Sequence, residues 1–257
     1  MEENTNPSSY VSFPLVMNIF FSWAHATHFY ICGNTKEDKR FCVEIHTGFY
    51  RQGLLGGRRG YHFHCGPNIS DPVVAAVGYE TMQEASVYNF SSDSIVILPP
   101  YDAYNPKSTT MTVEKMVART TPDRRIVFAF SIEVGDKMRR EPFEWRQINK
   151  GEDILADAGG FKLLRLSPKK HGVDEGATDT GETVAIFAWT NHWYGFANIA
   201  STHPFSLHLV GSAKLGQLGD RWALMAVLTA LRLDNLHKQG RTHYSFIHHG
   251  EKIRAGN

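Results

Sequence analysis

The chain has 257 residues, 42% hydrophobic and 21% charged, a composition that excludes a disordered, collagen-like or membrane-dominated protein. With 27 basic and 26 acidic residues the net charge is +1, so there is no whole-chain basic footprint for nucleic acid. Three cysteines, Cys32, Cys42 and Cys65, exclude a disulfide-stapled scaffold and fit a reducing, cytoplasmic setting.

The first residues, Met1-Glu-Glu-Asn-Thr-Asn-Pro, are polar and acidic and lack the basic and apolar parts of a secretory signal. Residues 13–23 are apolar but short, with Pro14, Asn18 and Ser22 interrupting them, which predicts a strand rather than an anchor. Two β-runs, at 28–32 and 41–46, flank a polar turn and predict a hairpin. A turn centred on Glu37 would set Cys32 opposite Cys42. Two packed apolar thiols are then the plain reading, and a cross-strand disulfide the alternative.

Residues 61–65 alternate, 72–79 form a continuous apolar run, and 94–98 end at Pro99-Pro100, so each predicts a strand. Residues 112–119 suggest a short helix. Ile126, Phe128, Phe130, Ile132 and Val134 fall at spacing two and therefore share one strand face, with a return strand at 142–148. Further strands are expected at 161–166, 183–189 and 204–210, and the Gly-, Asp- and Thr-rich stretch 168–182 reads as a surface loop.

The segment beginning Gly219-Asp-Arg-Trp-Ala-Leu-Met-Ala-Val-Leu-Thr-Ala-Leu is the one long helix, and residues 223–231 carry no charge. A helix apolar on nearly every side is buried all round. It is too short to span a bilayer. Many strands followed by one such helix predict a mainly β fold: a closed or nearly closed antiparallel barrel around a buried C-terminal helix. One domain is expected over 1–257, with 1–10 and 241–257 as loose tails.

This plan, with Phe143-Glu-Trp-Arg, Phe161-Lys-Leu-Leu-Arg-Leu-Ser and the helix at Gly219, resembles the tubby C-terminal-like and LURP-one-related superfamily, including fungal proteins of the same expected shape. The resemblance covers the second half of the chain by sequence and the first half by strand pattern. Neither the tubby signature segments nor the lipidated, cysteine-rich stretch and membrane helix of scramblases occur here. The resemblance therefore implies a barrel with a lipid-related or other small-molecule pocket, an analogy of fold.

His62 and His64 form an H-x-H on one strand face, the spacing of a metal site on a barrel wall, but no glutamate follows at the near downstream positions, so no metal is expected. Glu144 and Arg146 share a face and read either as a surface ion pair or as an acid and charge clamp inside the barrel. Asn191, His192, Trp193 and Tyr194 follow the strand ending at Trp189, where loops at a barrel mouth meet ligands. The glycine-rich run 53–60 carries Arg58 and Arg59 and reads as a hairpin connection or a phosphate cradle, although it lacks the P-loop lysine. Arg124-Arg125 and Arg139-Arg140 are basic pairs in turns that, clustered at one barrel end, would attract anionic headgroups.

The expectation is a soluble intracellular barrel that binds a small apolar or amphiphilic molecule, lipids included, without cofactor, nucleic acid or membrane span. Trp189, Asn191, Trp193, Arg58 and Arg59 would contact the ligand. The alternative is a cofactor-independent isomerase or cyclase acting on a small natural product, with His192, Tyr194, Glu144 and Arg146 as catalytic groups.

Overall fold

The computed structural model describes residues 10–21, 27–81, 90–101, 109–166, 181–190 and 203–255. Twelve strands form a closed antiparallel barrel in which each pairs with the next in sequence and the last closes on the first. They are β1 (Val16–Phe21), β2 (His28–Cys32), β3 (Lys39–His46), β4 (Gly60–His64), β5 (Val73–Tyr79), β6 (Ser94–Leu98), β7 (Thr112–Thr120), β8 (Ile126–Val134), β9 (Arg139–Ile148), β10 (Gly160–Leu166), β11 (Gly181–Trp189) and β12 (Phe205–Leu209). Helices α1 (Gly211–Lys214), α2 (Gly219–Lys238) and α3 (Tyr244–Ala255) follow.

Alternation along each strand decides which side chains enter the barrel. Ile126, Phe128, Phe130, Ile132 and Val134 all enter from β8, and Phe143 and Trp145 from β9. One apolar cluster unites residues of all twelve strands with α2. Every α2 residue from Arg221 to Asp234 is buried. The helix is thus the filling of the barrel. Its Thr229 hydroxyl accepts from Trp145 Nε1 at 2.9 Å and donates to the Met225 carbonyl, so that indole and hydroxyl are paired inside the barrel.

Charge is confined to the two ends of α2. Near its start, Arg221 donates to Glu133 at 3.0 Å, to the Tyr10 hydroxyl at 2.7 Å and to Glu114 at 3.2 Å, and Arg140 bridges the same two glutamates from outside. Near its end stand Arg232, Asp234, His237 and Lys238. Arg232 lies fully buried over the Tyr79 ring at 3.9 Å and donates to Ser94 Oγ at 2.9 Å.

Three expectations are corrected. Residues 112–119 belong to strand β7, not a short helix, because Glu114, Met116 and Ala118 alternate in burial with exposed neighbours. Residues 241–255 are not a loose tail: Arg241 and Thr242 are buried and helix α3 packs against β7, burying Ile247 in the main core cluster, with Glu251 accepting the Thr120 amide at 2.8 Å. Gly250 allows that docking, since a Cβ there would lie 2.2 Å from the Phe90 carbonyl oxygen. Cys32 and Cys42 do not face each other. Cys32 pairs with Lys39 and Cys42 with Tyr30, because the hairpin ladder is centred one residue before Glu37, which sets Tyr30 rather than Cys32 opposite Cys42. Both thiols are free and buried, and burial pushes each up to about 11, away from thiolate chemistry.

Among the described residues no helix is long and apolar enough to cross a membrane.

Candidate functional site

The end of the barrel at the C-terminus of α2 carries a cleft of about 200 Å³ lined by Ile148, Gly159, Gly160, Trp189, Asp234 and His237, among others. Strand β11 ends there. The Trp189 amide donates to the Gly159 carbonyl at 3.0 Å, and its indole packs at a tilt of 34° against the His237 ring with centroids 4.5 Å apart. Phe187 meets the same indole edge-on at 4.4 Å. Gly160 forms part of the wall because only a missing Cβ lets β10 close on β11: a Cβ would sit 1.9 Å from the Phe187 carbonyl oxygen.

The polar side of the cleft comes from the last turn of α2. Asp234 is 2% exposed, and its Oδ2 accepts from Lys238 Nζ at 2.6 Å. Its Oδ1 has no hydrogen-bond partner among the described residues. Burial raises the Asp234 carboxyl above the usual range, against the opposing pull of Lys238. His237 is shifted down, first by burial and then by the charges of His243 and Lys238, and its Nδ1 lies 3.0 Å from the Thr242 hydroxyl. An apolar wall thus faces two groups that burial holds toward their neutral forms.

A second groove, of about 520 Å³, adjoins the cleft and shares Gln147, Asn149 and His237 with it. Arg124, Arg125, Arg146 and Lys162 line it, against Asp123 and Glu152. The basic pair Arg124-Arg125 occupies the β7–β8 turn, where Arg124 has φ +61° and stands 5.5 Å over the Tyr244 ring. The register of β9 and β10 sets Arg146 opposite Lys162, so two cations point out from adjacent strands.

Of the ligand-contacting residues expected from sequence, Trp189 lines the cleft, whereas Asn191, His192, Trp193 and Tyr194 lie outside the described residues. Glu144 and Arg146 face outward. Glu144, 4% exposed, pairs with Arg119 and, at 3.0 Å, with Arg146. Within this geometry the two form an ion pair on the wall, and Arg146 alone reaches the groove. The barrel interior holds Phe143 and Trp145 instead, by strand alternation.

The glycine-rich run folds back on the outer wall. Leu55 is fully buried against Ala76, Ile95 and Ile97, and Arg58 Nε donates to the Glu80 carbonyl at 2.9 Å, while Arg59 is exposed. Neither arginine lines the cleft or the groove.

His62 and His64 also lie on the outer face, both buried. The glutamate that is missing downstream stands across the ladder: Glu44 is in register with His62 and lies 3.3 Å from His62 Nδ1 and 3.7 Å from His64 Nε2. No group of three His, Cys, Asp or Glu side chains among the described residues is disposed to hold a metal ion.

Asp234 and His237 were not legible as site residues. The only sequence signal is the abrupt return of polarity at the end of an otherwise apolar helix.

No protein-family model, curated protein or solved structure matches the chain.

Proposed function

We propose that the chain is a binding barrel for a small apolar or amphiphilic molecule, lipids included, received at the α2 C-terminal end. The observation that carries this reading is the joining of an apolar, Trp189-walled cleft to a groove lined by four cations. An apolar body against the indole and an acidic or polar end toward Arg124, Arg125, Arg146 and Lys162 would each find matching chemistry. The resemblance to the tubby C-terminal-like superfamily supports the reading only as an analogy of fold.

Native mass spectrometry of the purified protein, repeated after denaturation, tests it. A retained mass that disappears on denaturing supports the proposal. Titration with oleate then gives a saturable quench of tryptophan fluorescence that Trp189→Ala loses, with the fold unchanged by circular dichroism. An unaltered oleate isotherm in Trp189→Ala would remove the cleft from the argument.

The second reading is a cofactor-independent isomerase or cyclase. It is favoured by Asp234 and His237, two proton-exchanging groups within one cleft that burial holds toward their neutral forms. A recovered molecule that changes its NMR spectrum at constant mass on incubation, and does so less in His237→Gln, would favour the enzyme.

A further inference from the structure

The outer wall of β2–β4 concentrates imidazoles about a single carboxylate. Glu44 is in register with His28 on one side and His62 on the other, with His64 on the same face as His62 and His46 two residues along its own strand. Over this wall lies the segment 47–59, pinned by Leu55 at one end and by the Arg58 bond to the Glu80 carbonyl.

The hydrogen bonds assign the ring protons. His46 Nε2 donates to the Gly56 carbonyl at 2.7 Å, and His64 Nδ1 donates to the Asp71 carbonyl at 2.6 Å. His62 Nδ1 donates to Glu44 at 3.3 Å. The remaining nitrogen of His62, Nε2, has no hydrogen-bond partner among the described residues, and Gly53 of the overlying segment covers it. A Cβ on Gly53 would lie 2.8 Å from His62 Cε1 and 3.1 Å from Nε2, so the segment rests directly on the ring. Gly53 has φ +77°, a conformation that glycine takes without strain.

A second proton on His62 has one place to go, and there it would be buried under Gly53 without an acceptor. It would also add a cation beside the His46 ring, 4.5 Å away centroid to centroid. We infer that segment 47–59 is a strap held against the barrel wall while His62 is neutral and released when mild acid protonates it. Lifting Gly53 hydrates Nε2 and removes the conflict.

The groups facing His62 are few. Strand β3 supplies Glu44 and His46, β4 supplies His64, and β5 supplies the uncharged Ala76 in register. The turn after β4 offers Asp71, whose carboxylate is engaged by the Asn68 amide at 2.7 Å. His28 across Glu44 is engaged by Tyr30 and Thr27. Burial and the neighbouring imidazole of His46 lower the affinity of His62 for a proton, and Glu44 only partly offsets them. The neutral form therefore stabilises the closed strap above about pH 6.5, and that stability is lost as pH falls through the depressed value.

A nitroxide on Gln52→Cys, an exposed strap position, in a Cys65→Ser background reads the strap by electron paramagnetic resonance. The label should become more mobile as pH falls from about 7.5 to about 5, with near-UV circular dichroism unchanged. His62→Gln should abolish the transition, and Glu44→Gln should move it to lower pH by removing the carboxylate that favours the imidazolium. Constant mobility across this range would overturn the inference. So would a transition that survives His62→Gln, fails to move in Glu44→Gln, or appears only with loss of the near-UV signal. None of these outcomes depends on ligand binding in the cleft.

Discussion

Glu144 shows how little a catalytic residue type says without its surroundings. Its carboxylate is shared between Arg119 and Arg146 on the barrel wall, and Arg119 is half exposed. Glu144 itself is buried, so water takes its place only at Arg119, while Arg146, 24% exposed, is left beside a neutral amide, and losing the charge costs about 1–3 kcal/mol. Glu144→Gln should therefore lower stability by about that amount in urea denaturation and leave ligand retention in native mass spectrometry unchanged. Loss of the retained mass would return Glu144 to the site. Gly160 is the opposite case, unremarkable in sequence and strictly required in space. Its missing Cβ admits the Phe187 carbonyl. Gly160→Ala should cost about 3 kcal/mol, because backbone rather than a flexible side chain must move; a denaturation midpoint equal to wild type would contradict this packing.

At the scale of the element, α2 is the informative one. Apolar all round and without charge over residues 223–231, it has no face to offer water, and every strand contributes to the apolar cluster that encloses it. Leu228 is 0% exposed within this shell. Leu228→Asp would place a carboxylate there with no partner, and the expected result is insoluble or unfolded protein. A soluble variant with an unshifted melting curve would refute the enclosed helix. The last turn of the same element carries no local signal specific to a site. Asp234 and His237 lie where the helix leaves the barrel, and a polar helix end looks ordinary until Trp189 is seen to stand over it. Strand β7 resembles a helix in sequence for a related reason. Glu114 occupies a buried strand position because Arg140 and Arg221 neutralise it, so the expected apolar alternation is broken by a charge.

For the whole molecule, the closed sheet leaves no strand edge unpaired among the described residues, and it buries histidines on its walls and end. His62, His208 and His237 are all shifted down, with burial the largest cause in each. Their neutral forms contribute stability above about pH 6.5 that is lost as pH falls through the lowered values. Asp93 and Asp234, raised by burial, act in the opposite sense, losing their contribution as pH rises through the folded value. His208 isolates the histidine term, since burial is its one cause and Ser206 is its neighbour at 2.9 Å. Between about pH 7 and pH 5 the Tm of His208→Gln should fall less steeply than that of the wild type in scanning calorimetry. Parallel profiles would show that the imidazole does not titrate with unfolding.

Local pattern alone determined eleven of the twelve strands and the burial of α2, as the five β8 residues and residues 223–231 illustrate. Period two and an uninterrupted apolar helix are properties of neighbouring residues, and burial selects them before any long-range contact is known. The meeting of Trp189 with His237, the placing of Arg124 beside Arg146 and the setting of Glu44 across from His62 were decided only by the tertiary structure. Each joins side chains on different elements through barrel closure and ladder register. A one-residue shift in register turns a side chain from one face of the wall to the other, and no local pattern records that choice.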